Sequence, residues 1–177
     1  MKKKTLALVL ALTLLVAGVV GGTLAWLTDR TAEVKNTFTV GDINIGLTET
    51  TTDYKMVPGN TIAKDPTVTV KANSEACWLF VKVTKSENLD TFITYAIAEG
   101  WTALPGVDGV YYREVPASAA DQTFSVLADN AVTVNSDVTK EMLTAKDFAN
   151  PTLTFKAYAV QKDNVASASD AWAKVNP

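Results

Sequence analysis

The 177-residue sequence contains no histidine. That absence removes most hydrolytic chemistry, because nucleophilic triads use an imidazole as base and H-E-x-x-H zinc sites use two as ligands. Cysteine is nearly as scarce. Cys77 is alone, so no intrachain disulfide can form, which leaves a buried small hydrophobe, an intermolecular disulfide or a reactive thiol. Within CWLFVKV it shares a strand face with Leu79, Val81 and Val83, which favours the first of these. Basic runs are confined to Lys2, Lys3 and Lys4. With those three removed, 13 basic residues stand against 19 acidic ones, a net charge of about −6 that repels nucleic acid and anionic lipid. Glycine-rich phosphate loops are also missing, since GVVGGT belongs to an apolar N-terminal run.

What is present begins with that run. Three lysines precede an apolar stretch from Leu6 to Val20, the layout of a secretory signal, and Gly21-Gly22 breaks its helix. Thr23-Leu24-Ala25 then offers a small residue to a signal peptidase, so the cut is expected between Ala25 and Trp26. The competing expectation is an uncleaved anchor, because apolar character continues through Leu24, Trp26 and Leu27 to roughly the ~20 residues that span a bilayer. No cysteine follows closely enough to accept a lipid at a new N-terminus. Cleavage leaves about 152 residues, enough for one domain with a real core.

The mature chain divides into an extended segment, 26–35, and a domain, 36–177. Trp26 to Lys35 lacks a helical stripe; its apolar residues are Trp26, Leu27, Ala32 and Val34. From Asn36 an alternating pattern predicts a first strand through Leu47, with a bulge at Gly41-Asp42 where the phase slips. The strand pattern resumes over Ile62–Val70, with Val68 and Val70 on one face after Pro66, which suits a strand start and not a strand centre, and Ala76–Thr84 reads as the central strand, with Trp78 and Phe80 on its second face. Further strands are expected over Phe92–Ala98, Val110–Val115, Thr123–Leu127, Val132–Val134 and Leu153–Val160, with Asp108-Gly109 as a hairpin turn. Short helices are expected over Thr139–Ala145, capped by Asp137 or Thr139, and near the C-terminus, capped by Ser167 or Ser169, with Trp172 docked on the sheet. Trp78, Phe80 and Phe155 belong in or beside the core. About eight short strands with threonine-rich links predict an all-β antiparallel sandwich with one or two short helices.

Few side chains suggest chemistry. Asp42, Glu49, Asp53, Glu87, Asp90, Glu99 and Glu114 follow no paired-carboxylate spacing and read as solvated surface. The turn Gln161-Lys162-Asp163-Asn164 sets a lysine among its oxygens, against a calcium site. Trp78, Trp101, Tyr111, Tyr112 and Trp172 suit a core better than a sugar platform. No cofactor, metal or catalytic residue is assigned, and the chain is not expected to be an enzyme.

GGTLAWLTD over the cut, NTFTVGDINI over the first strand and LTFKAYAVQ before AW resemble the TasA and camelysin group of secreted biofilm-matrix proteins, which carry signal peptides processed by a SipW-type peptidase. The resemblance touches both ends of the chain and is most specific at Gly21–Asp29 and Asn36–Ile45. It implies a jelly-roll-like sandwich, export through a SipW-like signal peptidase, and an extracellular or cell-surface fibre built from copies of this chain and related matrix subunits. It also implies that Trp26–Lys35, freed by cleavage, inserts as a donor strand anchored by Trp26, Leu27, Ala32 and Val34; the alternative is an unstructured tail. Camelysin-type relatives are described as metallopeptidases, and that activity is not carried over to a chain without histidine. A secreted monomeric adhesion or binding module is the second functional expectation.

Overall fold

The computed structural model describes residues 42–51 and 54–175. Ten strands lie among them: β1 Ile45–Thr48, β2 Thr61–Ala63, β3 Thr67–Val70, β4 Cys77–Lys85, β5 Ile93–Thr94, β6 Thr102–Ala103, β7 Val110–Val115, β8 Gln122–Ser125, β9 Ala131–Val134 and β10 Leu153–Gln161. Three short α-helices accompany them, α1 Leu89–Phe92, α2 Lys140–Thr144 and α3 Ala168–Val175. Among the described residues all strand pairings are antiparallel, and with strands dominant and helices few and short the domain is all-β. The strands form three sheets, ordered β1-β3-β8, β10-β4-β7-β6 and β2-β9-β5.

β4 is central, as its two apolar faces require. It pairs with β10 along its whole length, from Lys85 against Leu153 to Cys77 against Gln161, and with β7 from Cys77 against Val115 to Lys82 against Val110. Its odd face, Cys77, Leu79, Val81 and Val83, packs with Val68 and Val70 of β3, making the sandwich-like layer between the first two sheets. Its even face packs differently. Trp78 and Phe80 meet Trp172 and Ala171 of α3, which lies over that side of the sheet. Trp172 packs tilted by 50° against Phe80, with ring centres 5.3 Å apart, and edge-on at 5.2 Å from Tyr158. Ser167 caps α3 by accepting the Asp170 N–H at 3.1 Å, and Thr139 caps α2 by accepting that of Met142 at 3.3 Å.

Asp108-Gly109 forms the predicted turn before β7. Gly109 has φ +70°, and a Cβ there would stand 2.4 Å from the Val83 carbonyl oxygen, so no other residue fits without moving β4.

β3 starts directly after Pro66, as expected of a residue with no N–H to continue a ladder, and the chain changes there from the sheet of β2 to that of β3. Two sequence expectations need correction. Phe92–Ala98 is mostly not strand. Phe92 closes α1, β5 holds only Ile93–Thr94, and Ile97 makes a single bridge to Leu127. Those apolar side chains enter a third core of Leu89, Phe92, Ile93, Leu127, Val132 and Val134, where burial and not strand pairing explains their spacing. Among the described residues the first strand begins at Ile45, with Asp42–Asn44 outside it, although Ile43 still packs on the main core. Its Asn36–Gly41 part, the bulge at Gly41, the cleavage pair Ala25 and Trp26, and the anchors Trp26, Leu27, Ala32 and Val34 lie outside the described residues.

Candidate functional site

A cavity of about 630 Å³ opens where three sheet edges converge. β1, β2 and β10 are each the outer strand of their sheet among the described residues. Leu47 of β1, Ile62 of β2, and Leu153 and Phe155 of β10 supply apolar wall, and Met56 and Leu89 extend it. Edge strands present unpaired backbone N–H and C=O groups, so this groove combines apolar side chains with backbone able to pair with an added strand. Leu47, 36 % exposed, is one of two large hydrophobic residues left open among the described residues, and it contributes apolar surface to the groove.

One wall is charged. Lys64 follows β2, and its ammonium lies 2.5 Å from Glu49 Oε1, with the two side chains 10 % and 16 % exposed. The same oxygen accepts the Tyr54 hydroxyl at 2.8 Å. The Lys64 ammonium also stands over the rings of Tyr54, at 4.9 Å, and Phe155, at 5.4 Å. Burial, reinforced by Glu49, pushes the Tyr54 hydroxyl well above its ordinary range, so it stays a donor. Beside it Asp65 accepts the Thr50 N–H at 2.9 Å and its hydroxyl at 2.5 Å, which holds the Asp65 carboxyl below its usual range. The segment after β1 is thereby tied to the end of β2 at the groove mouth.

The sequence reading missed Lys64, although a signal existed. Ile62, Lys64, Pro66 and Val68 share one parity, which puts a lysine among inward-facing residues and demands a partner. Glu49 stood among the scattered carboxylates; it is the most enclosed of those with a lysine partner. Asp90 and Glu114 pair with Lys85 and Lys162 at the surface. Among the described residues no three Cys, Asp or Glu side chains gather into a metal-holding group.

Other sequence candidates resolve into packing. Trp78, Trp101 and Trp172 are buried, and the indole N–H groups of Trp78 and Trp101 donate to the carbonyls of Val165 at 3.2 Å and Ser125 at 2.8 Å. Cys77 is a buried free thiol, which burial pushes up to about 11. Arg113 was unforeseen: its guanidinium stacks 3.9 Å from the Phe124 ring centre and 5.4 Å from that of Trp101, and desolvation lowers its pKa. No helix among the described residues is long and apolar enough to cross a membrane.

No family model matches the chain, and neither a curated protein nor a solved structure was found to be similar to it.

Proposed function

We propose that the chain is a secreted structural subunit of an extracellular, biofilm-type fibre, and not an enzyme. A SipW-like peptidase frees Trp26–Lys35 on export, and that segment then docks as a strand on the next copy. The observation that carries the reading is the groove where the outer strands β1, β2 and β10 meet around apolar side chains. A donor strand there gains backbone hydrogen bonds from an edge and buries its side chains in one step. Lengths agree: the segment has ten residues and β10, the longest outer strand among the described residues, has nine. The resemblance of both chain ends to the TasA and camelysin group supports the same role and a jelly-roll-like arrangement. Cleavage then acts as a timing device, because the donor is withheld until the membrane-bound signal is removed.

Among the described residues, three core clusters are built from β-strands and helices of 42–175. The chain from Trp26 onward is expected to form fibres visible by negative-stain microscopy. A chain lacking Trp26–Lys35 is expected to keep its melting transition, stay monomeric and bind the synthetic ten-residue peptide. Fibres formed normally by the shortened chain overturn the mechanism. A Trp26 chain that stays monomeric at high concentration, across pH and salt, favours a monomeric adhesion or binding module.

A further inference from the structure

Resting on that reading, the groove's charged wall suggests how one copy recognises the next. In a segment docked as a strand, alternation puts Trp26, Thr28, Arg30, Ala32 and Val34 on one side and Leu27 and Glu33 on the other. The first side holds three of the four apolar anchors, so it is the side that faces the groove. Docking it carries the Arg30 guanidinium inward as well. A cation entering an apolar groove needs an anionic partner, because desolvation otherwise outweighs the burial of its neighbours.

The groove wall supplies one. Glu49 Oε1 is occupied by Lys64 and Tyr54, while Oε2 makes no hydrogen bond among the described residues. Local charge agrees with this. Glu49 and Asp65 against Lys64 leave the cluster one negative charge in excess, which a single arginine neutralises. The planar guanidinium also suits the ring faces of Tyr54 and Phe155 that already flank Lys64. We infer that Glu49 is the acceptor-side recognition group for Arg30 of a second copy of this chain, with the guanidinium donating to Oε2 while Lys64 keeps Oε1. The polar character of the segment is then a specificity device, since a wholly apolar strand would leave the Glu49 oxygen unpaired.

Complementary charge reversal tests this. Arg30→Glu and Glu49→Arg variants of the chain from Trp26 are each expected to lose fibre yield by at least about tenfold, as removal of one partner of a desolvated pair does. Their equimolar mixture is expected to polymerise. Each chain then meets a complementary partner: the unchanged donor of one fits the unchanged groove of the other, and the two reversed groups fit each other. Arg30→Glu alters no residue of the described domain, and Glu49→Gln keeps the side-chain shape; the latter is expected to weaken binding of the Trp26–Lys35 peptide about tenfold with the fold retained by circular dichroism. An Arg30→Glu chain that polymerises like the parent, unchanged peptide affinity in Glu49→Gln, or a mixture that stays monomeric while the Glu49→Arg chain keeps the parent's circular dichroism overturns the pairing. If such a result accompanies loss of fibres on deletion of Trp26–Lys35, the fibre reading stands and only the pairing falls. If the deleted chain still polymerises, both fall.

Discussion

The Lys64–Glu49 pair makes a sharp quantitative prediction, because breaking it and replacing it should have opposite consequences. Lys64→Met strips the ammonium from a carboxylate only 16 % exposed, leaving Tyr54 as its remaining donor. Breaking a fully buried pair costs about 3–5 kcal/mol; residual water access at the groove mouth lowers the expectation here to about 2 kcal/mol. Glu49→Leu should cost about 1–2 kcal/mol, since the stranded ammonium keeps the ring faces of Tyr54 and Phe155. The double variant leaves no unpaired charge and extends the apolar wall, so it should fall within about 1 kcal/mol of the parent. The coupling energy is therefore about 2–4 kcal/mol. Urea unfolding followed by tryptophan fluorescence, with the slope against denaturant unchanged, measures all four proteins. A double variant as unstable as the sum of the singles would refute the reasoning, because the two charges would then be independently solvated. The pairs Lys71–Asp121, Lys85–Asp90 and Lys162–Glu114 are the internal contrast: their side chains are 42–64 % exposed, and neutralising any of them should change little.

Two further outcomes follow from the packing. Trp172→Ala should remove the contact that holds α3 on the sheet and cost about 3–5 kcal/mol, lowering the melting temperature by roughly 10 °C in a chain of this size; a shift under about 3 °C by calorimetry contradicts the docking. Cys77 should resist iodoacetamide in the native state and react on unfolding. Its folded-state pKa is raised from 9.0 to about 11, so its contribution to stability is complete below pH 9 and is lost as pH rises toward and through 11. The parent should therefore lose stability relative to Cys77→Ala over that interval in pH-dependent urea melts, and native labelling as fast as in urea would contradict the burial.

Much of the fold can be read from residues whose neighbours in sequence already constrain them. The two-faced apolar pattern of Cys77–Lys85 requires a strand buried on both sides, and it is the centre of its sheet. Asp108-Gly109 predicts its turn because only glycine tolerates the backbone there. Ser167, Thr139 and Trp172 reveal caps and docking through local chemistry. Leu153–Gln161 is legible as a strand, but nothing in its alternation says that one of its edges stays open among the described residues.

Sheet membership and the site were decided at longer range. Whether Ile62 and Val68 share a sheet depends on which strands compete to pair with them, and Val132 and Phe124, the winners, lie tens of residues away. The same holds for Phe92–Ala98, where apolar spacing reports burial without saying whether the backbone pairs. Phe155 is half-buried because β1 and β2 leave space beside it, a property of no single segment. By itself the sequence determined an all-β chain with a central hydrophobic strand, a net negative charge and no imidazole chemistry, since these follow from composition and period. Only the tertiary structure brought Glu49, Tyr54 and Lys64 together at the meeting of three sheet edges, because a groove and an ion pair exist only once distant strands have packed.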